Sequence, residues 1–409
     1  MLGRQPIKRL LMLAAAAAIV ATPALAADGT VVIGMTFSQT GPLNVDSQTQ
    51  QHGAELWRDE VNAAGGIKAG GKTYEVKFIS YDDQSRSELV KALYTRLIVQ
   101  DKVQFLFGPY SSAMTAPAVA TCEQYGKIMV NTGGSDTAPY AHGTKYQFQL
   151  PAPAERYLAS AVLALATKNP HAKIAIAYAD DPFSRLVVGT VAREADMTGL
   201  KVVMDEPYAA STTDFVPVVD KIVASGADAF LGGGHYADGA ALARQLYAAR
   251  ADLKWVSILV APADVKFAAL GPAALGITVP SQWEPQESFT PQFGPTSGQF
   301  VERYQAKYHA APDYHAASGY AGGLVLQHAI EQAGSADPQN VLAKLNTLDS
   351  IIFFGHIRFS SDPVRHGVQI AHDMVLAQWQ MVNREVGRQV VWPTAAQSAD
   401  LLYPIPPAR

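Results

Sequence analysis

At 409 residues the chain is too long for one ordinary core, and two domains of roughly 150–200 residues are expected. Hydrophobic residues make up 48% of it and charged residues 17%, which excludes a disordered tail protein and a strongly acidic or basic scaffold. A formal charge of −4 gives no electrostatic reason to expect nucleic acid, and the single cysteine, Cys122, excludes an intrachain disulfide framework or a cysteine zinc site.

Residues 1–26 carry Arg4, Lys8 and Arg9, an apolar run over 10–21, and Ala24-Leu25-Ala26 as a small-x-small cleavage site, which together read as a secretory signal peptide. The apolar run, at about twelve residues, falls well short of the roughly 20 that span a membrane, and no later stretch is long enough. No cysteine follows the cleavage site, so a lipid anchor is not expected there. The mature chain is expected to be soluble and periplasmic, not membrane-embedded, and a monomer.

Two structural periods then alternate. A strand over 31–35 precedes a helix over 48–64 that stops at Gly65-Gly66, a helix-ending signal. A strand over 74–81, a helix over 87–100, a strand over 103–107, a helix over 113–125 and a strand over 128–131 complete a first series. After Pro151 and Pro153 the alternation restarts: helices at 155–168, 183–197, 215–224 and 239–249 separate strands at 174–178, 202–206, 229–231 and 255–260, and a helix runs to 274. Strands spaced by helices of this length mean βαβ units with parallel sheets, so the fold class is α/β with two Rossmann-like lobes. From 277 the run ITVPSQWEP is extended and suits a crossing between lobes; 297–347 is mostly helical and 352–392 strand-like.

Catalytic templates fail: there is no GxSxG elbow, P-loop or HExxH, and pairs such as His309/His315 lack ligand spacing for one helix face. Gly232-Gly233-Gly234-His235-Tyr236-Ala237 fits GxGxxA, but it lies late in the chain and carries two bulky residues, so a tight turn displaying an aromatic is preferred to a dinucleotide site. Two loops of the first series are more informative. Phe107-Gly108-Pro109-Tyr110-Ser111-Ser112 runs from a strand directly into a helix, placing two hydroxyls and free N–H groups where an anion such as a carboxylate binds; alternatively Ser111 or Ser112 only caps that helix. Asn131-Thr132-Gly133-Gly134-Ser135-Asp136 is again small and polar, and in open parallel sheets two such loops lie side by side at the carboxyl ends of strands.

These residues carry a resemblance. VVIGMTFSQTGP, EVNAAGGIKAGGKTYEVKFISYDDQS, VQFLFGPYSSAMTAPAVA, YGKIMVNTGGSD, IAIAYADDPFSR, STTDFVPVVDKIVASGADAFLGGG and FFGHIRFSSD, in this order, resemble a type I periplasmic solute-binding protein of the branched-chain amino acid (Leu/Ile/Val-binding) ABC transporter class. The resemblance implies two lobes joined by three crossovers, ligand capture by hinge closure and delivery to ABC transporter permease subunits. It divides the chain into lobe 1 (27–150 plus 286–350) and lobe 2 (151–276 plus 358–409), with crossovers near 149–153, 277–285 and 350–357.

By the same resemblance Ser112 gives the hydroxyl that binds the ligand carboxylate, with Ser135 and the backbone of Gly134 completing its cradle beside Gly133. Tyr236 corresponds to an aromatic that closes over the ligand, and Phe183, Tyr110 and Trp283 are further candidate rings. Where amino-acid binders place a glutamate for the α-ammonium, this chain has Ala263, with Asp264 beside it. Either Asp264 substitutes, the ligand has no ammonium, or Asp264 is a helix cap. The expected ligand is a small carboxylate, an amino acid or an aromatic acid, and no enzyme activity, cofactor or metal is implied. A ligand-sensing receptor subunit and an exported α/β enzyme are the alternatives. The family's early disulfide has no counterpart, which leaves Cys122 to pack as a small hydrophobe.

Overall fold

The computed structural model describes residues 27–407, so the predicted signal peptide over 1–26 lies outside the described residues. β1 (Gly29–Phe37) is central to the first sheet, and each of its residues from Ile33 onward is buried, as a strand covered on both faces requires. α1 (Asn44–Ala63) starts earlier than its periodicity suggests. β2 (Ile67–Ala69) and β3 (Lys72–Asp82) form an antiparallel hairpin around Gly70-Gly71, whose positive φ values of 59° and 75° suit a two-residue turn. α2 (Ser87–Val99), β4 (Phe105–Phe107), α3 (Ser112–Gln124), β5 (Met129–Asn131) and β6 (Gln147–Gln149) follow, giving a six-stranded sheet ordered β2-β3-β1-β4-β5-β6. Cys122 is buried on α3 with its Sγ 3.9 Å from the Met129 sulfur.

The second lobe begins with α4 (Ala159–Lys168) and β7 (Lys173–Ala179). The helix expected over 183–197 is broken at Gly189 into α5 (Pro182–Val188) and α6 (Val191–Thr198). β8 (Lys201–Tyr208), α7 (Val216–Ala224), β9 (Ala229–Gly233), α8 (Tyr236–Ala248) and β10 (Trp255–Ile258) continue the alternation, and short 3-10 turns over 261–263 and 265–274 replace the helix expected before β11 (Thr278–Ser281).

The chain then returns to the first lobe as α9 (Ser297–Tyr308), α10 (Tyr314–Ala333) and α11 (Pro338–Leu345). α10 packs tightly against α1 because glycines meet there. A Cβ on Gly53 would lie 1.9 Å from the Ala316 carbonyl oxygen, and one on Gly319 2.1 Å from that of Gln50.

The hairpin β12 (Asp349–Ile352) and β13 (Gly355–Arg358) corrects the third expected crossing. Ile352, Phe353, Phe354, Ile357 and Phe359 are buried in the first lobe's core, and the Gly367 carbonyl accepts the Gln149 N–H at 2.8 Å. Burial of this aromatic run holds residues 350–369 on lobe 1, so the chain crosses only between there and β14 (Val375–Val382), not near 350–357. β14 and β15 (Glu385–Trp392) finish a seven-stranded sheet ordered β15-β14-β11-β10-β9-β7-β8. The fold is thus α/β with two lobes, each a largely parallel sheet covered by helices.

The three crossings meet at one residue. Gln282 Oε1 accepts the Ala152 N–H at 2.9 Å, and its carbonyl oxygen lies 2.7 Å from His372 Nε2. His372 is stacked on Phe354, and burial holds its pKa down at about 4, so this contact is a neutral hydrogen bond.

Candidate functional site

The loop before α3 and the loop after β5 lie side by side because glycines allow it: a Cβ on Gly133 would sit 2.5 Å from the Pro109 carbonyl oxygen, and one on Gly134 2.4 Å from Thr115 Oγ1. Gln50 of α1 locks the pair, its Nε2 donating to the Gly108 carbonyl at 3.0 Å and to Thr132 Oγ1 at 2.7 Å. Ser112 Oγ accepts the N–H groups of Ser135 and Asp136 at 3.1 and 3.2 Å. With both acceptor positions engaged, its proton is free to donate. Neither serine caps α3 with its side chain; Ser111 supplies only the backbone cap. Two hydroxyls therefore stand at a helix N-terminus, that of Ser112 with its proton still to donate, an arrangement that favours an anion.

These groups face an inter-lobe cavity with about 370 Å³ of unfilled space, part of it open to solvent. Tyr110, Ser111, Ser112, Gly133, Ser135 and Phe183 all line it, and so do several residues the sequence did not single out. Thr132 belongs to the glycine loop. Tyr314, His315 and Ser318 come from the start of α10, whose Ser318 hydroxyl donates to the Thr132 carbonyl at 2.7 Å. Pro151, Tyr157 and Gln282 come from the crossings, and His235 and Val260 from the second lobe. Tyr157 links lobe and hinge, with its hydroxyl 2.9 Å from Ser135 Oγ and 2.7 Å from Gln282 Nε2. Val260 adopts φ 54°, ψ −63°, a left-handed conformation unusual for a β-branched residue, in a γ-turn closed from the Ala261 N–H to the Leu259 carbonyl.

Several expected roles change. The Gly134 N–H and carbonyl are both taken by the Asn131 side chain, at 3.0 and 2.7 Å, and the Gly133 N–H goes to the same amide at 3.1 Å, so the backbone of Gly134 does not complete a ligand cradle. Tyr236 opens α8, half-buried and outside the cavity lining; His235, one residue earlier, presents its ring instead. The cause is the turn. Gly232 and Gly233 take φ 152° and 96°, and a Cβ on Gly232 would lie 2.0 Å from the Ala177 carbonyl oxygen, so this run brings strands together and puts His235 at the helix cap. Trp283 is packed between Phe300 and Phe353 in the first lobe's core, away from the cavity.

Asp264 also stands behind the wall. Its Oδ1 caps the following turn at 2.6 Å from the Lys266 N–H, while its buried Oδ2 has no hydrogen-bond partner among the described residues. Burial, then the charges of Asp313 and Asp46, push its pKa up to about 6. Asp46, at the start of α1, is fully buried with neither carboxylate oxygen hydrogen-bonded among the described residues, and burial raises its pKa too. Asp313 behaves oppositely. Burial raises it, but the hydrogen bond and charge of His315, 3.5 Å away, outweigh that and leave it below the ordinary value.

A pH dependence follows. Asp264 titrates near 6 when folded and 3.8 when unfolded, so between these values the native state holds a proton that the unfolded chain has lost. Its contribution to stability therefore falls as pH rises from about 4 to 6, by up to about 3 kcal/mol. His372 acts in the opposite sense, losing stability as pH drops from 6.5 towards about 4. Chemical denaturation of wild type and Asp264→Asn across pH 4–7 separates the two. The variant gains on wild type as pH rises; a constant difference would remove Asp264 as the cause.

Comparison with known proteins fits this architecture. Residues 30–385 match the family model described as periplasmic binding protein. The "Leucine-, isoleucine-, valine-, threonine-, and alanine-binding protein" of Pseudomonas aeruginosa is 24% identical over 352 residues, covering 85% of this chain and 90% of that one. Among solved structures, the branched-chain amino acid transporter substrate-binding protein of Streptococcus pneumoniae, in complex with isoleucine, superposes with a TM-score of 0.74 at 22% identity, covering 89% of this chain and 100% of that one. An R. palustris ABC transporter solute-binding protein in complex with benzoate gives 0.76 at 18% identity, covering 91% and 98%. No helix among the described residues is long and apolar enough to cross a membrane. With two α/β lobes, a shared cleft and a family match spanning nearly the whole chain, the protein belongs to the periplasmic binding protein family.

Proposed function

We propose that the protein captures a small aromatic carboxylate in the inter-lobe cavity and, in the periplasm, hands it to the permease of an ABC importer. One observation carries this reading: the cavity joins an anion-binding helix N-terminus to ring walls of Tyr110, Tyr157, Phe183 and Tyr314, and none of its lining residues is a carboxylate. A buried ammonium without such a partner costs several kcal/mol, whereas a flat ring needs only the aromatic walls. The benzoate complex of the R. palustris neighbour supports the same ligand class. Ligand binding would draw the two lobes together, because residues from both meet the same molecule.

A second reading, an α-amino acid, is favoured by the unpartnered Oδ2 of Asp264 just behind the wall. Thermal unfolding of ligand-stripped protein decides between them. Benzoate and 4-hydroxybenzoate should raise the midpoint by several degrees at saturating concentration, with leucine and isoleucine giving no shift. The reverse pattern, with amino-acid binding abolished by Asp264→Asn, would establish the second reading instead.

A further inference from the structure

The cleft does not end at the cavity. Beyond it lies an outer pocket, open to solvent and also built from both lobes, lined by Leu43 and Ala113 of the first and by Ala179 and Phe215 of the second, with the carboxylates of Asp181 and Asp238 at its border. Ser111 and His235 line the inner cavity and the outer pocket alike. The His235 ring is the larger of these two shared groups and is held from several directions. Tyr110 of the first lobe places its hydroxyl 2.9 Å from His235 Nδ1, and the two rings meet edge-on with centroids 5.5 Å apart. Phe183 lies 5.7 Å away centroid to centroid, and an Asp181 carboxylate oxygen stands 3.8 Å from Nε2. That carboxylate favours the tautomer with the proton on Nε2, leaving Nδ1 to accept from the Tyr110 hydroxyl. The side chain is 15% exposed.

We propose that His235 sets the length of ligand the cleft accepts, its ring being the partition between the inner cavity and a largely apolar outer pocket that would take a second ring. This rests on the carboxylate reading above. A ligand anchored by its carboxylate at Ser112 has its far end against the second-lobe wall, and His235 is the part of that wall with apolar space behind it. Most of the outer pocket's surface is apolar and its border carries Asp181 and Asp238, so it suits a neutral hydrocarbon extension better than an anionic one. Removing the ring takes away its half of the cap at the start of α8 but keeps the other half, the His235 backbone N–H donating to Asp238 Oδ1 at 2.7 Å.

Titration calorimetry with benzoate and biphenyl-4-carboxylate tests the partition. Wild type should bind benzoate and bind the biphenyl acid at least a hundredfold more weakly. His235→Ala should tighten the biphenyl acid at least tenfold while weakening benzoate less than tenfold, and His235→Ser should behave alike if alanine impairs folding. Tyr110→Phe, which removes the bond across the cleft but keeps both rings, should weaken both acids by a similar factor and leave their ratio unchanged. If benzoate binds wild type but the biphenyl acid gains nothing in either His235 variant, the partition is wrong while the carboxylate reading stands. If wild type binds neither acid, the carboxylate reading falls and the partition with it.

Discussion

Ser112→Ala should weaken carboxylate binding by roughly ten- to a hundredfold, the loss expected for a hydrogen bond to a buried charged group. The size of the effect comes from preorganisation. In the folded protein the Ser112 oxygen already accepts from the Ser135 and Asp136 N–H groups, which orients the hydroxyl before the ligand arrives. Alanine removes the donor and also leaves those two N–H groups without an acceptor, so the two loops lose a tie as well as a ligand contact. Isothermal titration with benzoate gives the affinity, and a denaturation curve separates the loop's contribution. Affinity within twofold of wild type would show that the carboxylate sits elsewhere.

The second large effect concerns the fold. Gly319→Ala should lower stability by about 3 kcal/mol, or about 4 °C in the unfolding midpoint, because its new Cβ would lie 2.1 Å from a backbone oxygen that no rotamer change can move. Helices α1 and α10 would have to separate. The damage should also reach the ligand, since the residue it strikes is Gln50, whose amide holds Gly108 and Thr132 together. Gly298→Ala on α9, where a Cβ meets nothing within 4 Å, is the matched control and should be neutral or slightly stabilising. Equal midpoints for the two variants would mean the helices tolerate the added methyl group.

The alternating βαβ pattern was readable because parallel strands buried on both faces are continuous apolar runs. The short strand β2 carries too few residues for a period to show, and although the run containing β13 read as strand, the lobe that the β12–β13 hairpin joins could not be guessed. Phe353 and Phe354 look the same in sequence whether they pack on one lobe or the other; the side chains awaiting them, Trp283 and Phe300 for Phe353 and His372 for Phe354, decide it. For the site, the Ser-Ser and Gly-Gly loops were legible because small polar residues after a strand have a direct physical meaning. The residue drawn from the GGGHY turn was displaced by one, since which residue caps a helix depends on φ values that three glycines leave open. Tyr314, His315 and Ser318 were missed because residues on a helix entering from far along the chain resemble core; the only hint was the capping Asp313 just before them, whose Oδ1 accepts the Ala316 N–H.

Gln282 makes the three crossings mechanically interdependent. Its side chain grips the first, its carbonyl meets His372 on the third, and it lies on the second itself. Bending any one connection while the others stay still would tear a buried hydrogen bond, so the inexpensive motion is a rotation in which all three turn about this residue together. The lobes then have one principal degree of freedom, and because the same amide also reaches Tyr157 at the cavity wall, the pivot is in contact with the space the ligand fills.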